Sequence, residues 1–112
     1  MTYKAPSHEE ILDILSDVRT IALVGASDKP DRPSNGVMRM LQHQGFKVIP
    51  VNPGLAGQEL LGEKVYMSVN AIPKDIQIDM VDIFRNSEAA GPIVDEAIER
   101  KVDVVWMQLE VA

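Results

Sequence analysis

The sequence predicts an α/β fold in which a parallel sheet of about five strands, in the order 3-2-1-4-5, has helices on both faces. Ile21-Ala22-Leu23-Val24 is an unbroken apolar run, which is typical of a strand buried on both faces of a parallel sheet. Strand-like and helix-like segments alternate along the chain, and this alternation favours right-handed crossovers. The 112 residues have room for one domain. We therefore expect residues 1–112 to form a single doubly wound, Rossmann-like domain.

The individual elements follow from apolar spacing and from residues that start or stop a helix. In chain order the patterns predict a helix over 7–17, a strand over 21–24, a helix from Ser34 to a C′ glycine at Gly45, a strand over 46–51, a short strand over 64–66, a strand over 78–84, a helix over 86–101 and a strand over 102–107. Ser7-His8-Glu9-Glu10 is a capping box, which supports the first helix. Pro50 lacks the N–H that a paired strand uses, so we expect it near a strand end or facing an unpaired edge.

The composition excludes several classes of function. The chain has no cysteine, which rules out disulfides, a thiolate nucleophile and cysteine metal sites. Its two histidines, His8 and His43, lie in no metal-ligand motif, so we expect no metal. A net charge of −6 opposes nucleic-acid binding, and the apolar runs are far shorter than the ~20 residues of a membrane helix. The N-terminus has no apolar segment of signal-peptide length, so we expect a cytoplasmic protein without membrane contact.

In a doubly wound sheet the ligand binds outside the carboxyl ends of the strands, where the winding reverses. The segments that should converge there are Gly25-Ala26-Ser27, Asn52-Pro53, Phe84-Arg85-Asn86-Ser87 and Gln108. Gly25 directly follows strand one, where a glycine lets the backbone turn tightly and approach a ligand, and the next helix offers its N-terminus to an anion. A plain strand-to-helix turn is the alternative explanation of this glycine.

The sequence lacks two features that are typical of a binding site for a nicotinamide dinucleotide. Ser27 and Pro30 occupy the positions of the second and third glycines of the dinucleotide fingerprint. No Asp or Glu lies between Gly45 and Gln58, where strand two ends and a carboxylate would bind the ribose diol. The lack of a carboxylate would suit a ligand with a 3′-phosphorylated ribose, because phosphate and carboxylate repel each other.

Side chains near the start of the second predicted helix suit an anion. Positive charges and hydroxyls there come from Lys29, Arg32, Arg39, Ser27 and Ser34. Two alternatives stay open. Segment 28–32 has two acidic and two basic side chains and would neutralise its own charge. Ser34 would have a purely structural role if it were the helix N-cap.

Charged residues of the fourth predicted strand do not form a catalytic unit. Arg85 follows the strand, where a cation either faces the crevice or forms a structural ion pair. Asp79 and Asp82 lie three residues apart and therefore point to opposite faces. We expect Asp82 to hold a loop by accepting backbone N–H groups, and Trp106 and Met107 to pack against helices. With no nucleophile–base pair, the sequence predicts no catalytic residue and a protein that is not an enzyme.

Several short blocks of the chain resemble the stand-alone CoA-binding domain proteins of bacteria, which are related to the N-terminal domain of the succinyl-CoA synthetase alpha subunit. The blocks are 21–27 (IALVGAS), 29–34 (KPDRPS), 48–53 (VIPVNP), 82–85 (DIFR) and 106–109 (WMQL). The resemblance covers about Ile14 to the C-terminus. It implies that coenzyme A, or a closely similar adenine nucleotide, is the small-molecule ligand.

By this resemblance, Gly25 to Asp28 would form the turn that cradles the phosphates, Arg85 to Ser87 would touch the ligand, and Val51-Asn52-Pro53 would border its nucleotide end. Leu55 stands where the synthetases carry a lysine near the phosphates, so cations of the first loop or backbone donors would bind them. The candidate ligand-binding residues are Gly25, Ala26, Ser27, Asp28, Lys29, Arg32, Pro33, Ser34, Asn52, Pro53, Phe84, Arg85, Asn86, Ser87 and Gln108.

The resemblance leads us to expect non-catalytic binding of coenzyme A or an acyl-CoA. Two alternatives stay open. One is a subunit or partner of an acyl-CoA or nucleotide-dependent enzyme. The other is a protein-interaction domain that has lost the ligand, which Leu55 and Glu110 favour because Glu110 stands where the family usually has glycine. Relatives usually continue past the last strand with another helix and strand, so one face of the final strand would be uncovered in this sequence, which favours a homodimer or a less stable fold.

Overall fold

The structure, a computed structural model, describes residues 18–84 and 87–107, without the side chains of 87–90. The predicted helix over 7–17 lies outside these residues. The elements are β1 (Thr20–Val24), α1 (Pro33–His43), β2 (Lys47–Val51), a 3-10 turn (Pro53–Leu55), β3 (Glu59–Leu60), β4 (Glu63–Lys64), β5 (Met80–Ile83), α2 (Ser87–Glu99) and β6 (Val104–Met107).

The central sheet of the described residues has four parallel strands in the order β2-β1-β5-β6. This confirms the doubly wound α/β fold, but the expected count of about five strands is wrong for these residues. The segment predicted as the third strand makes one parallel bridge, between Val51 and Tyr66, at the outer side of β2. Val65 N–H donates to Gln58 O at 2.8 Å, and Gly57 N–H donates to Val65 O at 2.9 Å. Because a local hairpin uses the backbone groups before Tyr66, no longer strand forms there.

Pro50 lies inside β2, opposite Leu23 of β1. Its carbonyl oxygen accepts a hydrogen bond of 3.0 Å from Tyr66 N–H, on the side of β2 away from β1. Because the N–H and C=O groups of one strand residue point to the same side, the missing N–H of Pro50 also faces that outer edge. Pro50 therefore costs no hydrogen bond to β1, in agreement with the prediction.

The two faces of the sheet bury separate apolar clusters, so helices cover both faces as predicted. The cluster against α1 includes Ile21, Leu23, Met38, Leu41, Val48 and Met80. The cluster against α2 includes Ala22, Val24, Ile49, Val81, Ile83 and Ala97. Trp106 packs against the first cluster and Met107 against the second, which confirms their packing role.

The start of α1 differs from the prediction. The helix begins at Pro33, where the fixed φ of proline suits a first helical position, and Arg32 is the N-cap without a side-chain cap hydrogen bond. Ser34 is therefore not the N-cap, and it is buried together with Asn35. Gly45 follows the helix end with a φ of +97°, as expected of a C′ glycine.

Candidate ligand-binding site

Gly25 forms the tight turn at the carboxyl end of β1. Its φ is +88°, and a Cβ atom there would collide with the carbonyl oxygen of Phe84 and lie 3.1 Å from the carbonyl carbon of the same residue. The N–H groups of Gly25 and Ala26 both donate to Val51 O, at 2.9 and 3.3 Å. The chain therefore needs glycine here for the packing of the loop itself, which supports the plain-turn explanation of this residue.

A polar cavity of about 180 Å³ opens next to this turn, at the carboxyl edge of the sheet and the N-terminus of α1. Its lining consists of Gly25, Ala26, Ser27, Arg32, Ser34, Asn52 and Phe84. The first-turn N–H groups of a helix have no intrahelical acceptor and give this end a partial positive charge. The first turn of α1 contains no acidic residue that would neutralise that charge.

Two polar side chains of α1 hold the loop that forms one wall of the cavity. Asn35 is 4% exposed, and its Nδ2 donates to Ser27 O at 2.8 Å. Arg39 donates from Nε to Asn35 Oδ1 at 2.9 Å and from Nη2 to Pro30 O at 3.3 Å. Arg39 therefore stabilises the loop through Asn35 and Pro30. Sequence reasoning missed Asn35, although its spacing of three from Met38 places it on the buried face of the helix.

Asn52 connects the first and second loops of the crevice. Its Nδ2 donates to Ala26 O at 2.7 Å, and its Oδ1 accepts from Gly54 N–H at 2.8 Å. The amide fills the place where an acidic residue would bind a ribose diol, and it brings no negative charge. The resulting wall of the cavity is polar and neutral.

The first loop keeps its charges apart. Among the described residues, Asp28, Lys29, Asp31 and Arg32 form no ion pair with one another, so the self-neutralised alternative finds no support. Arg32 lines the cavity. Lys29 is exposed, and its backbone N–H donates to Ser27 Oγ at 3.1 Å. Arg32 is therefore the loop cation that lines the cavity.

The structure brings seven of the fifteen predicted site residues together around the polar cavity. The seven residues that line the polar cavity were all predicted. Three more, Asp28, Lys29 and Pro33, are exposed in the same region and do not line it. Pro53 lines a second cavity, and Ser87 begins α2 with its side chain outside the described residues. Arg85, Asn86 and Gln108 lie outside the described residues.

The second cavity, of about 350 Å³, lies at the same edge of the sheet, on the side of α2. Its lining is mainly apolar and consists of Val24, Val51, Pro53, Met67, Ser68, Val69, Ile93 and Glu96. Sequence reasoning missed this apolar cavity. Five of these eight residues come from the loop after Tyr66 and from α2, and no short-range pattern relates those two segments to each other.

Arg100, the residue that follows α2, holds the loop that forms one wall of the apolar cavity. Arg100 donates from Nη1 to Val69 O and Ile72 O, at 3.0 and 2.6 Å. It also donates from Nη2 to Pro73 O and Ile76 O, at 3.2 and 3.0 Å. A single guanidinium thus satisfies four carbonyl oxygens of one loop, which is the fork geometry that favours arginine over lysine.

The role that the sequence predicts for Asp82 of β5 belongs to Asp79, which precedes that strand. Asp82 is 0% exposed, and neither carboxyl oxygen has a hydrogen-bond partner among the described residues. Burial raises the pKa of Asp82 from 3.8 to about 7, because desolvation disfavours the charged form. The expectation that Asp82 accepts backbone N–H groups is wrong. Asp79 does so instead, since its Oδ2 accepts from Arg19 N–H at 3.0 Å and Thr20 N–H at 2.9 Å.

Within residues 18–84 and 87–107, no cluster of three or more His, Cys, Asp or Glu side chains has the arrangement of a metal site. No helix in this part of the chain combines the length and the apolar character that a membrane span requires.

The strand order is that of a doubly wound α/β protein. One polar and one apolar cavity lie at the carboxyl edge of its sheet, on opposite faces, where such proteins bind a ligand at the switch point. Residues 19–112 match the family described as the CoA binding domain, and the chain belongs to that family. The resemblance drawn from the short sequence blocks is thereby confirmed.

Three relatives show the range of this family. YneT of Bacillus subtilis, an uncharacterized protein, is 42% identical over 103 residues, which are 92% of this chain and 73% of YneT. The crystal structure of Prb, the PH1109 protein redesigned for binding, superposes with a TM-score of 0.84 at 43% identity and covers 94% of this chain and 71% of Prb. The alpha subunit of the ADP-forming acetate–CoA ligase I of Pyrococcus furiosus is 32% identical over 98 residues, which are 84% of this chain and 21% of that subunit.

Proposed function

We propose that this chain binds coenzyme A or an acyl-CoA without catalysing a reaction, and that the polar cavity holds phosphate groups of the ligand. The observation that carries the proposal is the lining of that cavity, which in the described part of the chain combines Arg32, two serines and a helix N-terminus with no carboxylate. Phosphate oxygens accept hydrogen bonds from such groups and gain from the positive end of the helix dipole.

The two cavities suit the two chemical parts of an elongated ligand. Val24 and Gly25 are consecutive residues that line the apolar and the polar cavity, respectively, and so are Val51 and Asn52. A ligand that crosses this edge of the sheet therefore reaches both cavities. Coenzyme A has highly charged phosphates next to uncharged groups, and it matches this division between the two cavities.

The lining of the polar cavity also supports a binding role without catalysis. Ser27 and Ser34 are its hydroxyl groups, and among the described residues the lining contains no histidine or carboxylate that would take a proton from them. The second candidate function is that of a subunit in an acyl-CoA enzyme. The identity of 32% to an acetate–CoA ligase alpha subunit favours it. Turnover of acetyl-CoA by the isolated full chain would favour enzyme chemistry and contradict the proposal.

Calorimetric titration of the full chain with coenzyme A, dephospho-coenzyme A and NAD tests the binding proposal. We expect coenzyme A to bind more tightly than the other two compounds, because its 3′-phosphate adds charge next to Arg32 and the helix N-terminus. Absence of binding heat with all three compounds at several temperatures, together with unchanged thermal stability in their presence, would contradict it and favour a protein-interaction domain.

A further inference from the structure

Among the residues that the structure describes, Glu96 is the one acidic residue in the lining of the apolar cavity. It is half-buried on α2, one turn after Ile93, which lines the same cavity. A carboxylate among aliphatic side chains is costly unless its oxygens accept hydrogen bonds. The hydrogen bonds of Glu96 therefore bear on what this cavity accepts.

One of the two carboxylate oxygens of Glu96 accepts a hydrogen bond from the chain. Glu96 Oε1 accepts a hydrogen bond of 3.0 Å from Asn70 N–H, in the loop that walls the cavity. Within the described part of the chain, Glu96 Oε2 accepts no hydrogen bond and no cation lies within ion-pair distance of the carboxylate. The contact with Asn70 fixes the orientation of the carboxylate and leaves the second oxygen with unused acceptor capacity.

We infer that Glu96 is a specificity-determining residue, which accepts a hydrogen bond from the exocyclic amine of a purine base seated in the apolar cavity. The inference rests on the proposed function, since it takes coenzyme A as the ligand. A purine has apolar faces that suit Val24, Val51 and Val69, and the amine of adenine supplies a donor that Glu96 Oε2 does not find among the described residues. The same carboxylate repels phosphates and anionic acyl groups, so these are excluded from the apolar cavity.

The pantetheine arm fits the cavity less well. Each of its amides brings a carbonyl oxygen together with its N–H, and that oxygen would lie among aliphatic side chains. An unpaired amide oxygen in such surroundings is costly. The amine of adenine brings donors only, which match a carboxylate oxygen.

The test compares coenzyme A with an analogue that has an unsubstituted purine in place of adenine and so lacks the amine. We expect the full chain to bind coenzyme A at least about tenfold more tightly than the analogue, as sites built to hydrogen-bond a ligand group reject compounds without it. In E96Q the Oε1 atom still accepts from Asn70 N–H, so the amide Nε2 faces the ligand. A donor then meets the amine, and the preference for coenzyme A should fall below about twofold or reverse.

Glu99→Gln is the matched control. Glu99 lies three residues after Glu96 on α2 and accepts a hydrogen bond of 3.3 Å from Asn70 Nδ2, but it does not line the cavity. E99Q should keep the full preference for coenzyme A. E96D, which retracts the carboxylate by one methylene, should lose the preference as E96Q does, and it serves if E96Q does not fold by circular dichroism.

The outcomes separate the two proposals. Equal affinity of the unsubstituted chain for coenzyme A and the analogue overturns the role of Glu96 and leaves the proposed function intact. The same holds if E96Q and E96D bind coenzyme A with undiminished preference. If the unsubstituted chain binds neither compound, the proposed function fails and the role of Glu96 fails with it.

Discussion

Gly25 and Phe84 lie so close together at the carboxyl edge of the sheet that a Cβ atom on Gly25 would collide with the carbonyl group of Phe84. The contact joins the ends of β1 and β5, and both residues line the polar cavity. Phe84 N–H also donates to Val24 O at 2.8 Å, so the two chain segments cannot separate without loss of this hydrogen bond. The crevice thus has a rigid base at this point.

Gly25→Ala should destabilise the protein by about 3 kcal/mol or more, because the side chain meets backbone atoms and the positive φ adds strain. Urea unfolding measures this loss. Gly57→Ala is the control: its φ is also positive, at +86°, but no atom lies within 4 Å of its added Cβ. This control should lose only about 1 kcal/mol. Equal losses in the two variants would show that the contact with Phe84 does not matter.

Arg32→Ala should weaken binding of coenzyme A by about tenfold or more, because a hydrogen-bonding cation is removed from the polar cavity. Its thermal stability should stay unchanged, since the Arg32 side chain makes no cap hydrogen bond. Titration calorimetry measures the affinity at low and high salt, and the difference between the variants should shrink as salt rises. Lys29→Ala, at an exposed position of the same loop, should alter the affinity by less than about twofold. Comparable losses in both variants would contradict the assignment of Arg32.

Asp82 should make the protein less stable as the pH rises. Its pKa is about 7 in the folded state and 3.8 ordinarily, so between these values the folded chain holds a proton that the unfolded chain has released. The free energy of unfolding therefore falls from about pH 4 to about pH 7, by up to roughly 4 kcal/mol in total. Asp82→Asn cannot ionise and should remove this slope.

Urea unfolding at pH 5 and pH 8 measures the effect of Asp82. The variant should be the more stable protein at pH 8, where the unsubstituted chain buries a charge. Asp75→Asn, at an exposed position, is the control and should keep the slope of the unsubstituted chain. The prediction fails if Asp82→Asn keeps that slope as well.

Arg100→Ala should destabilise the protein by about 2–4 kcal/mol, because several carbonyl oxygens of one loop lose a charged donor. Hydrogen exchange should quicken at the Ala71 and Ile72 amides, whose hydrogen bonds are internal to that loop. Lys74→Ala, an exposed change in the same loop, should leave exchange and stability unaltered. Unchanged exchange in Arg100→Ala would show that Arg100 does not hold the loop.

The polar cavity was predictable because its residues follow strand ends. Each of Ser27, Asn52 and Phe84 comes within three residues of the carboxyl end of a predicted strand, and parallel strands bring those ends to one edge. The apolar cavity was predictable only in part in this way. Met67 and Val69 lie within three residues of the end of the predicted strand over 64–66, but Ile93 and Glu96 lie inside a helix, and only the packing of α2 on the loop brings them to the cavity.

The sequence by itself determined the doubly wound sheet, the helices on both faces, the glycine turn after β1 and the family of the protein. These features depend on local spacing and on neighbouring strands, which a linear pattern contains. Only the tertiary structure decided that Tyr66 makes a bridge instead of a strand, that Asp79 and not Asp82 accepts backbone N–H groups, and that Arg39 supports the loop. In each case the outcome depends on hydrogen bonds between residues that are apart in the sequence, and only the folded chain shows which of these groups meet.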